Sequence, residues 1–536
     1  MSHKTSDAND EGKVLRTLKR VYSPVIAWAL KYRNIAVGIA VIALVIAGVL
    51  FPRIGREFMP VMDEGTTVII IEKNPSISLE HSLASDAAYQ KAMMELPEVT
   101  GVMSRTGADE LRLDPMGLYQ TDNFLLTRPR SEWKIGLSEF QENLRKKLEQ
   151  FPGLELAFTQ PIDMRVSEML TGVRATMAIK VYGEDLKVLE EKAVQIEALV
   201  SKIKGAIDIV RNPVFGQLYL QIEINQKNIS RYGIKTEDVN QLVETAIGGR
   251  VVTEIVEGNR PIGVVLRYPE EKRSSVESIG AMLVETSGGA KISLNQLADI
   301  KEVDGPVQIT RESAKRQVVV QANVENRDVV SFVDEVRSAI AREISLPQGY
   351  YVTFGGQFEN QQRASARLLI VLPIAIVLIF LMLFITFRSL RQAGLIILNI
   401  PFAMIGGIMS LYLSGLYLSV PASVGFITLF GVAVLNGIVM VSYFNQLCAE
   451  GRTVLEAVQE GALRRLRPVL MTAMISTFGL APLLIATGPG SELQRPLAVV
   501  VIGGLFTSTL LTLVLLPTLY AWLEAGRKKI IKKREV

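Results

Sequence analysis

The stretch GVAVLNGIVMVSYFNQ, Gly431 to Gln446, sets one strongly polar side chain, Asn436, near the middle of an apolar run of membrane-crossing length. A carboxamide donates and accepts hydrogen bonds. In such a place it either ties helices together, for about 1 kcal/mol, or stands beside a path along which charge moves. From Gln392 to Ala449 there is no Asp, Glu, Lys or Arg. If the protein transports anything, its energy must enter somewhere else. Other chemistry is sparse. The single Cys448 excludes an intrachain disulfide and a cysteine metal cage, and His3 and His81 cannot by themselves build a zinc-enzyme centre. No nucleophile elbow, phosphate-binding loop or paired-histidine motif is present, so no enzyme is expected.

The elements that must carry these residues follow from composition. Of 536 residues, 49% are apolar, too many for an ordinary soluble chain and too few for one buried wholly in lipid. Six apolar runs read as membrane spans: Asn34–Phe51, Leu368–Phe387, Ala393–Leu413, Val420–Phe444, Val469–Thr487 and Ala498–Leu523. Basic residues precede the first span (Lys13, Arg16, Lys19, Arg20, Lys31, Arg33). They recur between the second and third (Arg388, Arg391), between the fourth and fifth (Arg464, Arg465, Arg467) and after the sixth (Arg527 to Arg534). The positive-inside rule then puts both termini in the cytoplasm and the large insert outside it. With a net charge of only +4 and its basic residues explained by the membrane, the chain shows no nucleic-acid footprint. Residues 1–12 are polar and mixed in charge, so the first span reads as a retained anchor rather than a cleaved signal. Leu15–Leu30 has helical apolar spacing with basic residues interleaved and reads as an interfacial amphipathic helix.

The insert alternates strands and helices. TTVIIIEK, a helix over Leu79–Leu96, VTGVMSRTG, LYQTDNFLLT, a helix over Leu137–Gln150 and LELAFTQ give β-α-β-β-α-β, the pattern of ferredoxin-like folds. A second copy starts with TMAIKVYG, a helix over Leu186–Lys204, IDIVRN and LYLQIEI. It is completed by RQVVVQANV, a helix over Val329–Ile344 and YYVTFGG, with an insertion at about 228–305. LDPMG, Leu113 to Gly117, reads as a turn. The expected class is an α+β membrane protein. Its parts are a cytoplasmic N-terminal segment with the amphipathic helix (1–33), a first transmembrane helix (34–52), a first extracytoplasmic unit (53–160) and a second unit carrying the insertion as a docking subdomain (161–366). A five-helix bundle (367–523) and a basic cytoplasmic tail (524–536) follow.

This plan resembles the C-terminal half of resistance-nodulation-division (RND) efflux pumps, and local sequence carries the resemblance further. LRRLRPVLMTAMISTFGLAPLLIATGPGSELQRPLAVVVIGGLFTSTLLTLVLLPTLY, Leu463 to Tyr520, is similar to the family's last two spans, and FRSLRQAGLIILNIPFAMIGGI to the preceding hairpin. FMPVMDEG (Phe58 to Gly65), QPIDMRVSEMLTGVRA (Gln160 to Ala175) and SRYGIKTEDV (Ser230 to Val239) resemble the heavy-metal branch.

The resemblance implies efflux of a heavy-metal cation driven by the proton gradient, with no bound cofactor. In copper and silver exporters the substrate cleft uses methionine thioethers, which suit soft monovalent ions. The corresponding positions here are Ile70, Glu168 and Val251, none of them methionine. Glu168 is a hard oxygen donor, suited to zinc, cobalt, nickel or cadmium. Asp163, Glu72 and Glu254 lie within a few residues of those positions and complete the candidate metal set. Met164 and Met169 flank Glu168 and keep a copper or silver alternative open. Asn436, Arg465 and Thr472 are the candidate proton-path residues. Asn436 is expected to face an aspartate-bearing helix of an N-terminal half, which this chain does not contain, and Leu435 stands where drug-exporting relatives carry a lysine. The implied partners are that N-terminal half, a trimeric assembly, a periplasmic adaptor, an outer-membrane channel and the lipid bilayer of a bacterial inner membrane. The competing readings are a protein-export accessory subunit and a membrane assembly module that does not itself transport.

Overall fold

The computed structural model describes residues 13–60, 62–108, 116–486, 488 and 490–532. Residues 1–12 and 533–536, and most of the LDPMG segment read as a turn, lie outside the described residues.

The strand Thr67–Glu72 shows why the first unit folds as it does. Side chains alternate across a strand, and here both faces are covered, which explains an unbroken apolar run. Ile69 and Ile71 pack with Tyr89, Met93, Phe140 and Leu144 from the helices Leu79–Met93 and Leu137–Leu148. Val68 and Ile70 pack on the opposite face against Met164. The sheet order is Val99–Thr106, Gln120–Thr127, Thr67–Glu72, Glu155–Thr159, so the first strand in the chain is central, flanked by the third and the fourth, and the second lies at the edge.

The second unit repeats this order with Ala206–Arg211, Lys315–Val324, Met177–Tyr182 and Tyr351–Gly356. Its helices, Leu186–Val200 and Val329–Glu343, are N-capped by Asp185 and Asp328 and bury Leu189, Ile196, Phe332 and Val336. LYLQIEI departs from its expected place. It lies in the strand Phe215–Ile224, which leaves the core sheet and pairs with Ala298–Pro306 as a two-stranded ribbon. Most of this strand is exposed, so no core face holds it in the sheet, and Lys315–Val324 takes the slot beside Met177–Tyr182. The insertion therefore leaves the unit at Phe215, earlier than the sequence suggested. It carries its own core of Ile229, Val239, Leu294 and Leu297 and the hairpin Arg250–Glu257/Arg260–Leu266.

Among the described residues six helices are long and apolar enough to cross a membrane: Arg33–Arg53, Gln357–Phe387, Leu390–Ser414, Val420–Ala449, Val454–Ile485 and Ser491–Glu524. The third is interrupted at Leu398, because Pro401 has no N–H to offer the Ile397 carbonyl. The fifth begins earlier than expected, and Arg464, Arg465 and Arg467 lie within it rather than in a loop. The sixth is the hub against which the third, fourth and fifth pack. At its crossing with the third, a Cβ on Gly406 would lie 2.1 Å from the Gly503 carbonyl oxygen, so the two backbones touch through small residues. The amphipathic segment is the helix Lys13–Lys31. Its apolar face packs on the bundle through Ile26 and Tyr22, whose hydroxyl donates to the Leu513 carbonyl at 2.5 Å.

Candidate metal-binding cleft

The helix Pro161–Thr171 carries two of the candidate ligands. Proline suits the first turn, where an N–H has no helical partner. The Glu64 carboxylate accepts from the free N–H groups of Ile162 (2.8 Å) and Asp163 (3.1 Å), a favourable place for a negative charge. At the other end Gly172 adopts φ 71°, the left-handed conformation that only glycine reaches freely, and its N–H closes on the Glu168 carbonyl at 3.0 Å. The chain is thereby turned back so that Arg174 reaches Glu168.

Glu168 is held from two sides. Arg165 donates to it at 3.0 Å, and the Arg174 Nε makes a close ion pair with its other oxygen. Arg174 also reaches Asp122 at 2.9 Å. Asp122 is fully buried, and its second oxygen takes Arg105 at 2.6 Å. The register of the first sheet places Glu72 opposite both Gln120 and Glu155. Gln120 donates to Glu72 at 2.9 Å. Burial raises the Glu72 carboxyl above its ordinary pKa, against the lowering effect of Gln120 and Arg174. Burial and then the charge of Glu72 push Glu155 up to about 7, although its strand edge remains open to water.

These groups border a cleft of about 400 Å³ between the two units. Ile70, Glu72, Glu155, Glu168 and Arg174 line the side of the first unit and the following helix, with Asp208, Gln308, Gln321 and Asn323 from the second unit and its connections. Asp208 is fixed by Arg145 at 2.6 Å and by the Asn323 side chain at 3.1 Å.

The structure thus brings Glu168 and Glu72 to one cleft and sends Asp163 and Glu254 elsewhere. Asp163 accepts from the Gln357 side chain at 3.2 Å, and burial and the neighbouring Glu64 raise its pKa. Glu254 and Val251 sit on the exposed hairpin of the insertion, whose strand is uncovered along its whole length. Among the described residues no three His, Cys, Asp or Glu side chains gather in an arrangement able to hold a metal ion. Met164 is core packing and Met169 is exposed away from the cleft lining. Sequence reading passed over Asp122, Arg105 and Arg174. The signal was an acidic residue inside an otherwise core-like strand, which a folded chain keeps only when the charge is paired.

The proton-path candidates are not gathered either. Asn436 is 3% exposed and points into this bundle rather than toward an outside helix. Its neighbour Gly437 abuts Ile396 and the Asn399 side chain, and the outward position on that turn belongs to Leu435. The cause is helical phase: one residue's step rotates the side chain from the outer face to the inner. Arg465 lies over the Tyr443 ring at 4.3 Å, and the Thr472 hydroxyl donates back to the Pro468 carbonyl at 3.0 Å. A polar cluster the sequence reading missed joins Gln392 and Asn445, which exchange hydrogen bonds of 3.0 and 2.9 Å, with Tyr520 donating to Asn445 at 2.7 Å.

The AcrB/AcrD/AcrF family model matches residues 3–524. The chain belongs to this family. It is 37% identical over 522 residues to the cobalt-zinc-cadmium resistance protein CzcA of Cupriavidus metallidurans, covering 96% of this chain and 49% of that relative. It is 38% identical over 520 residues to the nickel and cobalt resistance protein CnrA of the same organism, covering 96% and 48%. The cation efflux system protein CusA of Escherichia coli K12 is 32% identical over 533 residues, covering 96% and 50%. Among solved structures, a crystal structure of a heavy metal efflux pump superposes with a TM-score of 0.86 at 38% identity, covering 96% of this chain and 53% of that one. The chain spans about half the length of the relatives it matches, and the resemblance to heavy-metal RND pumps read from its motifs holds.

Proposed function

We propose that this chain is the C-terminal half of a proton-driven heavy-metal efflux pump, exporting divalent cations such as zinc, cobalt, nickel or cadmium. The observation that carries the reading is Glu168, an oxygen donor on the wall of a water-accessible cleft between two extracytoplasmic units. The ion is cargo, held in passing, and a site with fewer than three gathered donors suits that better than permanent storage. The proton-carrying acid belongs to an N-terminal half, since the third and fourth apolar helices contain no acidic or basic residue within the bilayer. The units are read as ferredoxin-like, and the insertion as a docking subdomain. The assembly is read as a trimer in the inner membrane, joined to a periplasmic adaptor and an outer-membrane channel, with both termini of this half in the cytoplasm.

Glu168→Ala in a complete pump is expected to lower zinc, cobalt or nickel resistance at unchanged protein level. Unchanged tolerance would remove Glu168 from the site and with it the main support for this reading.

A further inference from the structure

Glu168 is not open to a cation as it stands, because both of its oxygens are already held by arginines. Of the two, Arg165 is the outer partner, with a side chain 52% exposed. Arg174, 21% exposed, is the inner one, and its guanidinium bridges Glu168 and the fully buried Asp122. The oxygens of Asp122 and Glu168 are all taken by the guanidinium groups of Arg105, Arg165 and Arg174. The ion pairing around Glu168 is balanced without any metal.

A divalent cation entering a balanced cluster meets a guanidinium at contact distance from the oxygen it needs. Repulsion between cations that close is strong wherever water is partly excluded. The ion must therefore displace an arginine. Arg105 sits on the strand Val99–Thr106 and is committed to Asp122. Arg165 is a solvent-exposed neighbour three residues from Glu168 on the same helix, and such pairs are weak and easily opened. Arg174 is the one that decides. It lies in the irregular segment between Gly172 and the strand Met177–Tyr182, so its side chain can move without disturbing a helix or a ladder. It also keeps a second carboxylate, Asp122, when it leaves the first.

We propose that Arg174 is an exchangeable counter-cation for the cargo. It neutralises Glu168 while the cleft is empty, withdraws onto Asp122 when a divalent ion binds, and returns as the ion departs. The carboxylate then never stands bare, and binding becomes shallow enough for release. A doubly charged ion displaces Arg174 more readily than a singly charged one of similar size, so the residue also sets a preference for divalent cargo. This rests on Glu168 being a ligand.

The test is a calorimetric titration of the purified complete pump with Zn²⁺ and Co²⁺, in the wild type, Arg174→Gln, Arg174→Lys and Glu168→Gln. Arg174→Gln is expected to tighten binding by about tenfold, equivalent to about 1.4 kcal/mol, and to slow metal efflux in liposomes. Arg174→Lys, which keeps the charge beside Asp122 but lacks the planar fork that spans two carboxylates, is expected to fall between. A merely structural arginine would give weaker binding, not tighter. Unchanged or weaker affinity in folded Arg174→Gln, or in Arg174→Lys should the glutamine variant not fold, overturns the exchange role when Glu168→Gln has lost binding. Wild-type affinity in Glu168→Gln overturns the ligand reading itself.

Discussion

Glu72 and Glu155 stand directly opposite each other on neighbouring antiparallel strands, where the cleft meets a second hollow of about 470 Å³ that both residues also line. Like charges placed opposite each other across a sheet are unfavourable. Burial and Glu72 raise Glu155 to about 7, Glu197 adds to the effect, and Arg211 opposes it.

The pH dependence follows from that direction. A carboxyl whose pKa is higher in the folded than in the unfolded chain binds its proton more tightly when folded. Its stabilising effect is complete below the ordinary carboxylate range and is lost as pH rises through about 7. Glu155→Gln is therefore expected to raise the thermal unfolding midpoint at about pH 8 and to leave it unchanged at about pH 4. Melting curves of the two proteins at both pH values check this. An equal effect at both would mean that the carboxyl titrates normally.

Gly406 supplies a test of the bundle. A side chain there collides with the Gly503 backbone of the sixth apolar helix, which cannot swing aside, as well as with the Thr507 hydroxyl. Gly406→Val is expected to cost about 3 kcal/mol, at the upper end for overpacking. Gly431, whose added Cβ meets nothing within 4 Å, is the control, and Gly431→Ala is expected to be neutral or slightly stabilising. Thermal unfolding in detergent separates the two.

The hairpin Arg250–Glu257/Arg260–Leu266 leaves Ile255, Val256, Ile262 and Val265 exposed. Apolar surface of this kind marks an interaction site. If it joins copies of the pump in the proposed trimer, Val256→Asp with Ile262→Asp is expected to shift the complete pump toward monomer by light scattering, with little change in the melting point of the monomer. A trimer that survives the double substitution removes the hairpin from the interface.

Membrane sidedness is open to direct labelling. In a Cys448→Ser background, cysteines placed at Asp185 and Glu450 are expected to react with an impermeant reagent from opposite sides, Asp185 from the periplasm. The basis is the distribution of Arg and Lys around the six apolar helices. Labelling of both from one side would sink the six-span arrangement.

The sequence by itself determined whatever is local or periodic. Apolar runs of membrane length appeared as six helices, because a bilayer demands a fixed length of apolar surface and leaves backbone groups no partner but their own helix. The strand and helix periods of the two units could be read for the same reason: a buried face repeats every two residues in one and every 3.6 in the other. The family motifs were also legible.

Tertiary structure alone decided which side chains meet. LYLQIEI has a strand's composition, but whether it joins the core sheet depends on a partner 74 or more residues away, Ala298 to Pro306. Asn436 and Leu435 are adjacent in the chain, yet only the packing of the third apolar helix against the fourth turned the amide inward and the leucine outward. Glu168 stood at a family substrate position and Glu254 only a few residues from one, but the sequence did not show that Glu254 rides an exposed hairpin while Glu168 lines the cleft. Arg174 and Asp122 had no visible connection until a glycine turn and a sheet register brought them within 2.9 Å. Charges a few ångströms apart interact strongly and those on separate subdomains do not, so the electrostatics of the site were fixed by distances that no stretch of sequence records.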